Sequence, residues 1–144
     1  EAKLEELCEK LWNMTMPNKP ESSLYLFTSF DTRALRIMKR LHPEAEMMLL
    51  KSKPASPEIL MEAYNMGIMR VGCKMDGTTR STIRLGHKLG MIVSLWPGNN
   101  KEDFFLGAAL GCDAMCCDRF FEVGDWAEKN LPFVKIKGYE KPKK

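Results

Sequence analysis

Residues 89–118, LGMIVSLWPGNNKEDFFLGAALGCDAMCCD, decide the fold. Met91 to Leu95 is an apolar strand pattern that ends on Trp96 and a Pro97-Gly98-Asn99 turn. A helical stretch, Asn100 to Leu110, follows. After Gly111 a second apolar strand, Asp113 to Cys117, ends on Asp118. A strand, turn, helix and second strand in that order predict two strands running the same way, the unit of a parallel α/β architecture.

Working outward, the same unit recurs. Leu24 to Phe30 is an apolar strand, and Asp31 stands at a helix start carrying Leu35, Ile37, Met38 and Leu41 before Pro43. Ala45 to Leu50 is the next apolar run, closed by the segment SKPASP. There Ser56 is an N-cap and Pro57 the first helical residue. The helix Glu58 to Asn65 ends at Gly67, Ile68 to Lys74 is strand-like, and Asp76-Gly77 is a turn. A helix from Thr79 to Leu89 then stops at Gly90. Ahead of the repeats, Ala2 to Trp12 has Leu4, Leu7, Cys8 and Leu11 at helical spacing. Asn13 to Ser23, with Pro17, Asn18 and Pro20, is a connector.

The strands are short apolar runs rather than clean alternations, as expected where helices cover a sheet. About five such units favour a (β/α) barrel or a doubly wound sheet. Neither a GxGxxG nor a GxxxxGK[ST] loop occurs, which lowers the nucleotide-binding open sheets and leaves the barrel in the lead. The predicted class is α/β, a parallel (β/α) barrel of TIM type. It is partial, because a complete barrel takes ~250 residues and the chain has 144. Either the first part of the barrel lies elsewhere, or the fold is an open or truncated variant. The division expected is 1–23 for the N-terminal helix and connector, 24–120 for the barrel portion and 121–144 for an extension with a basic tail.

Composition bounds the function classes. At 44% hydrophobic the chain reads as one globular domain able to bury a core. No apolar run reaches the ~18 residues of a membrane span, and no signal-peptide layout opens it. The first residue is Glu rather than Met, which implies a processed or cut chain. A net charge of +3, much of it in Lys135, Lys137, Lys141, Lys143 and Lys144, is too sparse for a nucleic-acid face. Five cysteines without framework spacing argue against a disulfide-stapled domain. Cys116 and Cys117, as strand neighbours, point to opposite faces and cannot share a metal site. Cys8, Cys73, Cys112, Cys116 and Cys117 are expected as buried thiols in a reducing, cytoplasmic compartment.

Taken together, the segments resemble the C-terminal portion of the glycerophosphodiester phosphodiesterase family, metal-dependent barrels of the phospholipase-C-like phosphodiesterase type. Thr28-Ser29-Phe30-Asp31, then Leu35 and Leu41-His42-Pro43, are similar to the family's Ser-Phe strand end and its following helix end. Thr79 to Lys88, with His87 and then Gly90, resembles its helix leading into a Trp strand. Val93 to Asn99 is similar to its Val-x-x-Trp-Thr-Val-Asn segment, with Pro97-Gly98 in place of Thr-Val. Leu110 to Arg119 is similar to its closing Gly-Val-Asp-Gly-Ile-x-Thr-Asp, with Ala114 for a Gly and Cys117 for the Thr. The resemblance implies hydrolysis of glycerophosphodiesters to glycerol 3-phosphate and an alcohol with a divalent cation, Mg²⁺ or Ca²⁺. The family's His-Arg-Gly, Glu-x-Asp, His-Asp and Glu-x-Lys motifs, which carry the chemistry, do not occur here. No catalytic residue and no metal ligand is therefore assigned to this chain. The missing groups would come from the N-terminal barrel half or an oligomeric partner. A truncated barrel kept as a non-catalytic phosphate- or headgroup-binding module, or as a structural piece, is the alternative.

Strand C-termini, where barrel sites assemble, supply the candidates for substrate binding. Phe30 and Trp96 are candidate apolar walls for a glycerol or alcohol group, and ordinary core aromatics would occupy the same positions. Lys51 and Lys74 end their strands as candidate phosphate partners, against the alternative of solvated lysines. Asn99 reads as a turn residue or a hydroxyl contact, Asp118 as a cap for the next segment. Methionines such as Met47, Met48 and Met66 read as core filler. His42 and His87 fall on helices, away from the strand C-termini, and neither is a catalytic candidate.

Overall fold

A computed structural model describes residues 1–132; the lysines of the basic tail lie outside them. Helix α1 (Ala2–Thr15) and one 3-10 turn (Met16–Asn18) precede five strand–helix units. These are β1 (Phe27–Ser29), α2 (Thr32–Leu41), β2 (Met47–Pro54), α3 (Pro57–Asn65), β3 (Arg70–Lys74), α4 (Arg80–Lys88), β4 (Ile92–Trp96), α5 (Lys101–Leu110), β5 (Ala114–Met115) and α6 (Phe120–Asn130). The strands form one sheet in the order β1-β2-β3-β4-β5, every pair parallel. A doubly wound sheet reverses its strand order at a switch point. This order never reverses, so the winding is that of a barrel, and the barrel is partial.

Local chemistry starts and stops the helices where the sequence predicts. The side chains of Asp31, Ser56, Thr79 and Asn100 accept the backbone N–H of Arg33, Ile59, Thr82 and Asp103, each satisfying a donor that the first turn leaves unpaired. Gly111 ends α5 at φ 88°, left-handed backbone that a Cβ opposes.

Alternate strand residues face the helix layer and build the core. Leu49, Val71 and Val93 stand in register across β2, β3 and β4 and are fully buried, with Cys73 and Leu95 in register one layer further along. Leu35, Leu60 and Ile83 close over them from α2, α3 and α4. A Cβ on Gly86 of α4 would lie 2.8 Å from Val93 Cγ2, so that helix packs on the sheet by omitting a side chain. The other face carries Met48, Leu50, Gly72 and Ser94; a Cβ on Gly72 would meet Leu50 Cδ2 at 2.7 Å. On the helix side of the β1 edge, Trp12 of α1 stacks on His42 at 4.0 Å and on Phe27 at 5.7 Å between ring centroids.

Several expectations need correction. The first strand begins at Phe27 rather than Leu24, because an edge strand forms only where β2 offers partners, at Met47 to Leu49. Strand β2 does not close at Leu50; it continues through Lys51, Ser52 and Lys53 to Pro54, with an irregularity in register between Leu50 and Pro54. Strand β5 is only Ala114–Met115, so Cys116 and Cys117 lie beyond it. Cys116 is exposed, and Cys112 and Cys117 are half-buried, so burial of the thiols holds for Cys8 and Cys73 alone. No disulfide joins the described residues, and no helix among them is long and apolar enough to cross a membrane.

Two glycines separate conformation from packing. A Cβ on Gly111 meets nothing within 4 Å, so Gly111→Ala is expected to cost about 1 kcal/mol from backbone strain alone. Gly86→Ala, which drives a methyl into Val93, is expected to cost about 2 kcal/mol. Urea denaturation of both variants checks this; a neutral Gly111→Ala would remove backbone conformation as the reason α5 stops there.

Candidate functional site

The C-terminal ends of the strands gather at one end of the sheet, and three of the four predicted binding residues meet there. Lys74 and Trp96 are in-register neighbours on β3 and β4. Their shared register places Lys74 Nζ 5.8 Å from the centroid of the Trp96 ring, a cation–π contact. Phe30, just past β1, meets the same indole edge-on, with centroids 6.5 Å apart and planes at 87°. The aromatic pair is not ordinary core: Phe30 is 55% exposed and Trp96 is half-buried. The indole Nε1–H of Trp96 is buried and has no acceptor among the described residues. Such an unpaired donor costs about 1–3 kcal/mol.

Lys51 does not join them. It lies inside β2, and its Nζ is held by both carboxylate oxygens of Glu62 on α3, at 2.9 and 2.8 Å, on the helix side of the sheet. The expectation that it ends a strand and faces a phosphate fails because β2 runs further than its apolar stretch. Asp118 does not cap α6, whose N-cap is Arg119 with no side-chain capping bond. Instead Asn99 Oδ1 accepts the Asp118 N–H at 2.8 Å, and the Asn99 amide reaches Asp118 Oδ2 at 3.4 Å. With Gly98 N–H donating to the Cys116 carbonyl at 2.9 Å, this ties the turn after β4 to the segment after β5.

Thr78, which carried no sequence signal, is a positioning residue. Buried behind the cluster, its hydroxyl donates to the Lys74 carbonyl at 2.6 Å and accepts the Ala55 N–H at 2.9 Å. It thereby fixes the end of β3 against the turn after β2. Only an S/T side chain four residues past a strand end and one before a helix cap hinted at this, and that pattern is too common to single out a residue.

Both histidines sit at the opposite end of the strands. His42 is the C-cap of α2, stacked on Trp12, with Glu9 Oε2 3.5 Å from its Nε2. His87, in the last turn of α4, bonds Asp113 at 2.9 Å, and the same carboxylate oxygen accepts the Val93 N–H at 2.8 Å. That bond fastens α4 and β4 to the start of β5. Elsewhere, Arg33 holds the Asp31 carboxyl below the usual range through a side-chain hydrogen bond, with its backbone N–H adding to the effect. Burial pushes the thiols of Cys73 and Cys112 up to about 11, which leaves both protonated and unreactive at neutral pH. Among the described residues no three His, Cys, Asp or Glu side chains converge to hold a metal ion.

Thr78→Val is expected to leave the buried Ala55 N–H without an acceptor and to cost about 2 kcal/mol in urea denaturation. Thr78→Ser should restore most of it. If Thr78→Val were neutral, the hydroxyl would not be what holds the end of β3.

No protein-family model matches the chain, and no curated protein does. Solved structures do. A phosphodiesterase from Oleispira antarctica, in complex with the product sn-glycerol-3-phosphate, superposes with a TM-score of 0.79 at 17% identity, over 87% of this chain and 50% of that one. A glycerophosphodiester phosphodiesterase from Parabacteroides distasonis gives 0.70 at 17% identity, over 89% of this chain and 52% of that one. The chain spans about half the length of the structures it matches. Its fold is thus that of part of a barrel, shared with glycerophosphodiester phosphodiesterase structures.

Proposed function

We propose that the chain is the C-terminal part of a glycerophosphodiester phosphodiesterase, and that it supplies the substrate-binding wall for metal-dependent hydrolysis of glycerophosphodiesters to glycerol 3-phosphate and an alcohol. The observation that carries this reading is the convergence of Lys74, Trp96 and Phe30 at the strand C-termini. The Lys74 ammonium offsets phosphate charge, the unpaired Trp96 N–H donates to an oxygen of the ligand, and the two rings pack against glycerol carbons. In this reading 24–120 is the barrel portion, and the five cysteines belong to a reducing, cytoplasmic compartment.

Hydrolysis also needs a cation to offset developing charge and a proton donor for the leaving alkoxide. The described residues do not fit a Mg²⁺ or Ca²⁺ site, since no three of their His, Cys, Asp or Glu side chains converge. Cation ligands and acid–base groups would therefore come from the N-terminal barrel half or an oligomeric partner. A second reading, a non-catalytic phosphate- or headgroup-binding or structural module, is favoured by one observation: both histidines are tied into structural contacts at the far end of the strands.

Two variants test the binding wall. Titration with sn-glycerol 3-phosphate is expected to shift the Trp96 indole N–H resonance of the native chain, and calorimetry reads the affinity of both variants. Trp96→Phe removes the N–H and keeps an aromatic ring, so affinity should fall about tenfold, the worth of a hydrogen bond to a charged group. Removing the unpaired donor relieves its cost while the smaller ring loses packing, so the variant should stay folded. Lys74→Met should weaken binding by at least as much. Absence of any shift at millimolar ligand would sink the enzyme and headgroup-binding readings and leave the structural one. Chelator-sensitive release of glycerol 3-phosphate from a glycerophosphodiester by the native protein would select the enzyme; binding without turnover would select the module.

A further inference from the structure

Three of the five thiols are withdrawn from chemistry: burial raises that of Cys8 and pushes those of Cys73 and Cys112 up to about 11. The other two are neighbours in sequence, Cys116 exposed and Cys117 half-buried. Both lie past the end of β5, so strand alternation does not hold their side chains on opposite faces. Leu95 pairs with Met115 across β4 and β5, which sets Cys116 level with Trp96 at the end of the sheet where the ligand wall stands. The backbone of Cys116 holds the turn after β4 on both sides of Trp96. Its N–H donates to the Leu95 carbonyl at 2.9 Å, and its carbonyl accepts the Gly98 N–H at 2.9 Å. A Cβ on Gly98 would come within 3.1 Å of Met115 Cβ, so the two segments lie in close contact.

A disulfide between adjacent cysteines closes a small ring that contains the peptide joining them. Neighbouring Cα atoms are about 3.8 Å apart, short of the ~4.4 Å at which ordinary disulfides begin. The bond is therefore strained and readily reduced, and it turns the peptide as it forms. The oxygen of that peptide is the Cys116 carbonyl, the acceptor of the Gly98 N–H. We propose that Cys116 and Cys117 are a peroxide-sensitive pair whose closure to a disulfide releases the turn after β4 and loosens the ligand wall at Trp96. The exposed Cys116 sulfur attacks the O–O bond of hydrogen peroxide, giving a sulfenic acid and one water. The Cys117 sulfur then displaces the hydroxyl, which leaves with the thiol proton as a second water while the S–S bond forms. Two electrons and two thiol hydrogens thus pass to one peroxide, and glutathione reverses the step. The switch rests on the proposed ligand wall only for what it regulates; the bond and the movement of Trp96 do not depend on it.

Hydrogen peroxide added to the native chain is expected to remove the mass of two hydrogens, with peptide mapping placing the bond between Cys116 and Cys117. The Trp96 indole N–H resonance should move while that of Trp12 stays, and reduced glutathione should return it. Affinity for sn-glycerol 3-phosphate should fall at least about fivefold on oxidation, the worth of one hydrogen bond. Cys117→Ser should keep the Trp96 resonance in place under the same peroxide, and Cys112→Ser should respond as the native chain does. A bond to Cys112, oxidation of Cys116 to a sulfinic acid with no bond formed, or a bond that leaves Trp96 unmoved overturns the proposal. If Trp96 moves on closure but neither redox state binds sn-glycerol 3-phosphate, the switch stands and the ligand reading falls.

Discussion

The register of β3 between β2 and β4 is the constraint on which the rest of the structure depends. Leu49, Val71 and Val93 form one row facing the helices; Leu50, Gly72 and Ser94 form the next, facing the other way. Because side chains alternate along a strand, slipping β3 by one residue would turn Val71 and Cys73 out of the core and Lys74 into it. The same register sets Lys74 beside Trp96. Packing on one face and the Lys74–Trp96 contact on the other are thus fixed by a single set of backbone hydrogen bonds.

Curvature completes the cluster. Strands β1 and β4 are three strand spacings apart, about 14 Å along the sheet, yet the rings of Phe30 and Trp96 meet at 6.5 Å between centroids. Side chains leaning inward from a concave face close such a gap, and they do so above Gly72, the one position in its row without a side chain to obstruct them. The glycine that lets Leu50 lean inward lies two residues before Lys74 on β3. Thr78 then holds the end of β3, from which Lys74 projects, against the turn that follows β2.

Helix starts, the glycine stops and the parallel winding were legible because each rests on chemistry local in sequence: a cap two or three residues from its donor, or a residue without a Cβ. The order of the strands was legible for a related reason, since repeated short units leave few ways to connect. What escaped depends on partners distant in sequence. Lys51 reads as a strand end because the apolar run stops at Leu50, but β3 and the register irregularity carry β2 on to Pro54, and Glu62 on α3 claims the ammonium. Asp113 to Cys117 reads as a five-residue strand, but only Ala114 and Met115 find strand partners, opposite Ser94 and Leu95. Phe30 and Trp96 were each identifiable by position. Their contact was not, because it follows from sheet curvature, which no local pattern encodes.

The open ends of the sheet bear on how such a chain persists. A parallel sheet left unclosed presents two edges and an uncovered face, each a template for unwanted pairing. Here both edges are short: three residues in β1 and two in β5. Helix α1 packs over the helix side of the β1 edge through Trp12, stacked on Phe27 and His42. At β5, the Asp113 carboxylate binds the β4 backbone and His87, and Asn99 binds Asp118 just beyond the strand. Short edges fastened by side-chain hydrogen bonds limit pairing without closing the barrel. They also leave the strand C-termini, where Lys74 and Trp96 stand, open to whatever completes the site.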